Sequence, residues 1–305
     1  MTDELATTDD VLAGVDLRGR TVLVTGGTTG LGFETVRALA AAGASVVLTA
    51  RTEAKGLEAE AGIAALVPGA DVTHEVCELS SFASVRSFTD RFAASHERLD
   101  VLIANAGIMA VPFGHTEDGF ELQFGTNHLG HFLLVGRLLP LLVSSAPSRI
   151  VLLSSGGHTA SDIVWDDVNF ASRDYSKFEA YGQSKTANIL HAVELERRYG
   201  ERGVHAWAVH PGMVTTDLGR HFTRDDYRDL VKRAESAGSA LPPRVGPDVG
   251  ASTQVWAATS DAALSCVGAY LADCGPADAR SYATDPDGAR RLWELSELMV
   301  GETFP

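Results

Sequence analysis

Tyr181 and Lys185 stand four residues apart in the run Tyr181-Gly182-Gln183-Ser184-Lys185. On a helix that spacing sets a phenol and an ammonium on one face. A free tyrosine titrates near ~10 and an adjacent cation favours its phenolate, so the pair has the makings of a proton donor and acceptor near neutral pH. Spacing alone also fits one packed tyrosine and one solvated lysine, so other residues must agree. Ser154 and Ser155 follow the apolar run Arg149 to Leu153. A strand alternates faces, so only one of the two serines can point into a site.

A second cluster is Thr25-Gly26-Gly27-Thr28-Thr29-Gly30-Leu31-Gly32. It lies between an apolar run and an alanine-rich stretch, where a tight turn brings backbone close to a ligand. The N–H groups and positive dipole end of a following helix attract a pyrophosphate. Strand, glycine loop and helix in that order are the context a dinucleotide site requires. At the end of the next apolar run stands Arg51, whose guanidinium suits a ribose 2′-phosphate and can stack on adenine. A free 2′-OH is more often met by Asp or Glu, and Glu53 is two residues on. NADP(H) is therefore expected, with NAD(H) as the alternative.

The elements needed to position these groups alternate. Strands are predicted at Thr21–Thr25, Ser45–Ala50, Asp71–Cys77, Leu99–Ala104, Arg149–Leu153, Val204–Val209 and Ala269–Leu271. Helices are predicted at Phe33–Ala42, Glu53–Leu66, Ser81–Ser95, Asp118–Val143, Tyr175–Arg198, Pro247–Ser260 and Asp287–Val300. This is an α/β pattern, a doubly wound Rossmann-type parallel sheet with helices on both faces. Residues 1–16 read as an N-terminal extension and 17–305 as one catalytic domain. Residues 212–245, charged and containing Pro242 and Pro243, read as an inserted substrate loop.

With 305 residues and 45% hydrophobic content the chain can bury a large core. Its 25 basic and 40 acidic residues give a formal charge of -15, which repels nucleic acid and anionic membrane surfaces. No run approaches the roughly 20 apolar residues of a membrane span, and the acidic start lacks signal-peptide regions, so a cytoplasmic location is expected. Cys77, Cys266 and Cys274 lack the spacing of a disulfide framework or zinc site and read as packing residues. His128 and His131 lack a third ligand, so no metal is expected. His158 and His210 are expected to line or pack the pocket, and Trp207, Trp256 and Trp293 to pack the core.

Together the ordered set Thr25 to Gly32, Asn105-Ala106-Gly107, Asn127, Ser155, Tyr181, Lys185 and Pro211-Gly212 resembles the short-chain dehydrogenase/reductase family, over roughly residues 17 to 300. The runs Asn127 to Phe132 and Leu292 to Ser296 resemble its retinol-dehydrogenase-like and WW-domain-oxidoreductase-like members. Two positions depart from the family pattern: Ala104 precedes Asn105, and Glu78 stands where an Asp is usual.

The resemblance implies catalytic roles for Asn127, Ser155, Tyr181 and Lys185. Tyr181 would be the general acid or base, Lys185 would lower its pKa and bind the nicotinamide ribose, Ser155 would donate to the substrate oxygen, and Asn127 would hold a water between Lys185 and solvent. It implies cofactor contacts at Gly26, Thr28, Thr29, Gly30, Leu31, Gly32, Arg51, Glu78, Leu79, Asn105, Ala106, Gly107, Tyr181, Lys185, Pro211, Gly212, Val214 and Thr216. The expected activity is interconversion of a lipophilic alcohol with its ketone or aldehyde. A catalytically idle redox sensor and an epimerase on the same fold are the alternatives. The helices containing Asn127 and Tyr181 offer faces for a homodimer or homotetramer, unless their apolar stripes are core.

Overall fold

The structure, a computed structural model, describes residues 5–215, 217–219, 222–228 and 243–305. The first half runs α1 (Thr8–Val11), β1 (Thr21–Val24), α2 (Gly30–Ala41), β2 (Ser45–Ala50), α3 (Glu53–Leu66), β3 (Val72–Val76), α4 (Phe82–Ser95) and β4 (Val101–Ala104). Next come α5 (Leu122–Phe124), a π-helical turn at Gly125–Leu129, α6 (Gly130–Ser144), β5 (Ser148–Leu153) and a 3₁₀ turn at Gly156–Ala160. The chain continues with α7 (Lys177–Tyr199), β6 (Val204–Val209), α8 (Pro247–Gly250), α9 (Ser252–Thr259), β7 (Tyr270–Ala272), β8 (Gly275–Pro276) and α10 (Pro286–Val300).

The described strands form one eight-stranded sheet in the order β3-β2-β1-β4-β5-β6-β7-β8, parallel except for β8. Strand alternation divides the core between its faces. Leu23, Val47, Leu102 and Ile150 join Phe88, Phe132, Ile189 and Leu292 on one side. Val22, Val46, Leu48 and Ile103 join Val36, Ile63 and Val255 on the other. Each such buried side chain stabilises the fold by about 1.5–3 kcal/mol relative to exposure. The strand order reverses direction between β1 and β4, and the crevice outside their carboxyl ends is where a doubly wound sheet binds its ligand.

Several boundaries differ from the sequence reading. The helix expected from Asp118 starts at Leu122, because the Glu121 side chain accepts the N–H groups of Gln123 (2.9 Å) and Phe124 (2.7 Å) and so caps it there. Its apolar length is interrupted by the π turn holding Asn127. The helix expected over 247–260 is two pieces meeting at Ala251. Strand β8 is only two residues long, too short to carry a sequence pattern.

Residues 5–16 lie against the sheet's helical layer. Thr8 is buried and hydrogen-bonds Glu34 of α2, while Arg37 binds Glu34 and Asp9 at 2.7 Å each. The apolar stripes of α6 and α7 are core, covered by α10 and the C-terminal Phe304. Trp207 and Trp293 are fully buried, and Trp256 packs at the core's edge. The three cysteines are free thiols.

Candidate active site

The glycine loop leaves β1 directly above the crevice. Gly26 has φ +65°, a conformation side chains rarely adopt. Its N–H donates to Thr49 Oγ1 at 3.1 Å, tying the loop to β2. A Cβ on Gly32 would sit 2.2 Å from the Gly26 carbonyl oxygen, so only glycine lets α2 begin this close to the loop. Thr29 occupies the helix N-cap without a side-chain capping bond, so its hydroxyl does not cover the first turn of α2. A cradle that a Cβ would fill, set at a helix N-terminus, fits a pyrophosphate.

The turn after β4 closes the other side. Asn105 Nδ2 donates to the carbonyls of Thr25 (2.8 Å) and Gly26 (3.3 Å), and Ala106 N–H donates to Thr25 Oγ1 (3.0 Å). Thr25 Oγ1 also meets His131 Nε2 at 2.8 Å, and the far nitrogen of His131 lies 2.9 Å from the Asn127 carbonyl. Since the Asn127 carbonyl accepts, His131 Nδ1 carries the proton and Nε2 receives the threonine hydroxyl. Gly107 lies beside Asn127 and Lys185. Neither Thr25 nor His131 was assigned a role from sequence, where only the partners' proximity would have revealed one.

Among the other expected cofactor contacts, Val214 packs with Leu31 around Gly250, linking the segment after β6 to the glycine loop. Val214 also pairs with Val245 in a parallel bridge, and Pro211 and Gly212 precede it at the carboxyl end of β6. Thr28 on the loop and Gly30, the first residue of α2, are half-buried. Arg51 is exposed at the end of β2. Glu53 reaches His74 Nε2 at 3.3 Å, which turns its carboxylate toward β3. Glu78 folds back onto Ser80, accepting its N–H (3.0 Å) and hydroxyl (2.9 Å), and Leu79 is buried against Gly130. Thr216 lies outside the described residues.

The proton-transfer group assembles where β5 ends. Ser154 turns inward, its hydroxyl donating to the Lys185 carbonyl at 2.8 Å. Ser155 stands beside Tyr181, where its hydroxyl favours the phenolate, and accepts the Gly157 N–H at 3.0 Å. Lys185 Nζ donates to the Leu153 carbonyl at 2.9 Å and lies 5.6 Å from the centre of the Tyr181 ring. Asn127 clamps Ile108, with Oδ1 accepting its N–H and Nδ2 donating to its carbonyl, both 2.9 Å. Nδ2 also reaches Ser184 Oγ at 3.0 Å, so both amide hydrogens are engaged while Oδ1 keeps a second lone pair.

Burial acts on both members of the Tyr181–Lys185 pair. Burial pushes the phenol up to about 12, and the Ser155 hydroxyl is what opposes it. Burial likewise lowers Lys185 to about 8. Desolvation disfavours both charged forms, and it outweighs the attraction expected from spacing alone.

The histidines have structural partners. His128 Nε2 meets Ser296 Oγ at 2.8 Å, and burial takes His128 down to about 3 and His131 to about 4. Among the described residues no group of three or more His, Cys, Asp or Glu is placed to hold a metal ion. Glu121 and Gln123 are further positioning groups missed from sequence. Gln123 Oε1 accepts the Ala110 N–H (2.8 Å) and its amide donates to Tyr175 Oη (2.9 Å), which fixes the loop beyond Ile108.

The short chain dehydrogenase family model matches residues 20–226. The chain belongs to the short-chain dehydrogenase family. It is 41% identical to human retinol dehydrogenase 14 over 298 residues, covering 93% of this chain and 87% of that protein. A solved structure of an uncharacterized protein from Mycobacterium paratuberculosis matches with a TM-score of 0.79 and 34% identity, covering 99% of this chain and 100% of the other. The RhlG/NADP active-site complex of Pseudomonas aeruginosa matches with a TM-score of 0.65 and 26% identity, covering 84% and 95%. This short-chain dehydrogenase is an NAD(P)-dependent oxidoreductase acting on CH–OH groups and their carbonyl counterparts in small molecules. Among its described residues no helix is long and apolar enough to cross a membrane.

Proposed function

We propose that the enzyme is an NADP(H)-dependent carbonyl reductase and alcohol dehydrogenase for a lipophilic substrate. The observation that carries this reading is the joining of Ser155, Tyr181 and Lys185 at the end of β5, beside the glycine cradle. A phenol pushed up to about 12 is protonated at neutral pH, the state that carbonyl reduction needs.

Bound NADP(H) supplies or accepts the hydride. The Ser155 hydroxyl donates to the substrate oxygen where negative charge develops. Tyr181 delivers its phenolic proton to that oxygen in reduction and takes it back in oxidation. Lys185 holds the nicotinamide ribose and brings positive charge to the pair. Asn127 fixes Ile108 and, through its carbonyl, His131. Gly26, Thr28, Thr29, Gly30, Leu31 and Gly32 receive the pyrophosphate, while Asn105, Ala106 and Gly107 line the crevice floor. Glu78 and Leu79 border the adenine, and Pro211, Gly212 and Val214 the nicotinamide.

NADP(H) is preferred on two grounds. Arg51 is free to meet a 2′-phosphate, and Glu53, the residue that would bind a free 2′-OH, is engaged with His74. The NADP of the RhlG complex is in keeping with this. The lipophilic substrate rests on the aromatic pair Phe178 and Phe222, 5.6 Å apart at the start of α7, and on the similarity to an enzyme named for retinol, a long apolar alcohol. A cytoplasmic location is part of the proposal, and recovery with membranes on fractionation would count against it.

The test is consumption of NADPH and NADH with a panel of lipophilic ketones and aldehydes, using wild type, Tyr181→Phe and Arg51→Ala. Turnover should favour NADPH and vanish in Tyr181→Phe. Arg51→Ala should weaken NADPH binding about tenfold or more while leaving NADH nearly unchanged. Turnover restricted to small hydrophilic sugars would remove the lipophilic assignment.

A further inference from the structure

Ser155 is held by more than its own strand. His210, the residue after β6, accepts the Gly156 N–H at Nδ1 (3.1 Å). Its ring stacks on Tyr270 of β7, 6.3 Å between centroids and 6° between planes. On the other side His158 Nδ1 donates to the Ser155 carbonyl (2.8 Å), and its Nε2 accepts the Arg280 N–H (3.2 Å). Two imidazoles from different parts of the chain thus grip the peptide group that follows Ser155. Each uses a bare ring nitrogen as an acceptor, so both rings must be neutral.

We propose that His210 is a positioning residue for Ser155, its neutral Nδ1 holding the Gly156 N–H so that the Ser155 hydroxyl stays on Tyr181. This rests on the reading of Ser155 as the donor to substrate. Protonating His210 removes the acceptor and sets an N–H against the Gly156 N–H, which turns the catalytic serine away. The groups facing the ring are Asp273 from the β7–β8 turn, His158 and the Tyr270 phenol. Burial and His158 favour the neutral ring, and Asp273 opposes them. The expected consequence is an acid-side loss of turnover that belongs to His210.

Asparagine separates this from a general packing role, because its Oδ1 is bonded to Cγ as Nδ1 is and does not titrate. Glutamine carries its oxygen one bond too far. At neutral pH, His210→Ala and His210→Gln should lose on the order of 10- to 100-fold in kcat, with NADPH affinity within about twofold of wild type. His210→Asn should recover most of that kcat, and its activity should stay level through the acid range where wild type falls. Independently of turnover, the Gly156 amide resonance should shift with pH in wild type and stay still in His210→Asn. Wild-type kcat in His210→Ala and His210→Gln, or an unchanged acid limb in His210→Asn, would overturn the proposal. If wild type reduces no carbonyl, the functional reading fails, and a Gly156 amide blind to pH would still refute the His210 bond. If His210→Ala does not fold, the Asn and Gln variants decide.

Discussion

Ser154 Oγ donates to the backbone carbonyl of Lys185 at 2.8 Å, so the serine next to the proposed catalytic one joins β5 to α7 instead of entering the site. The two adjacent hydroxyls therefore make opposite predictions. Ser155→Ala should lower kcat by about 10²–10³, the loss typical of a donor to a developing oxyanion, beside a modest stability cost from freeing the Gly157 N–H. Ser154→Ala should keep most activity and lose about 1 kcal/mol of unfolding free energy. Steady-state kinetics beside urea unfolding tests both, and a reversed pattern would exchange the roles.

Gly157 sets the depth of the tyrosine. A Cβ there would lie 2.8 Å from Tyr181 Cε1, closer than real contacts allow, and 3.4 Å from Ser155 Oγ. Gly157→Ala should push the phenol aside and cut kcat at least about tenfold while NADPH still binds. Gly275→Ala, whose added carbon meets nothing nearer than 4.0 Å, is the control and should behave as wild type. Equal kinetics for the two variants would show that the ring has room to move.

Much of this site was legible because its chemistry is local in sequence. A glycine loop between a strand and a helix, and a Tyr–Lys pair at helical spacing, carry their geometry with them. Contacts between distant segments were not legible. Thr25 and His131 are 106 positions apart, and nothing in either neighbourhood announces the bond. Burial was the other blind point. Spacing predicted a lowered phenol pKa from Lys185, whereas desolvation, set by the whole fold, moves it upward. The π turn holding Asn127 is invisible in the sequence, because apolar periodicity does not reveal it.

Thr25 supplies a test of that distant contact. Its hydroxyl serves Ala106 N–H and His131 Nε2 together, so Thr25→Val, nearly the same shape, strands two buried polar atoms. A loss of about 2 kcal/mol or more is expected, with weaker NADPH binding as the β4 turn loosens from the glycine loop. Thr25→Ser should restore both. Full stability and affinity in the valine variant would show that solvent satisfies those atoms.

Lys185 predicts a pH dependence with a definite sign. Its ordinary pKa of 10.5 falls to about 8 on folding through burial. Between those values the unfolded chain holds a proton that the folded chain lacks, so stability rises with pH across that window. Below about 8 both states are charged and the cost of burying the ammonium is felt in full. Tyr181 and Cys77 act oppositely, because burial raises each to about 12 and the unfolded chain loses their protons first, from about 9 for the thiol. The useful quantity is therefore the difference between wild type and Lys185→Met, measured by urea unfolding from pH 7.5 to 9.5. Wild type should gain on the variant as pH rises. A flat difference would mean that the ammonium keeps enough solvation to stay charged, and Lys185 would then reach Tyr181 as the full cation that its spacing first suggested.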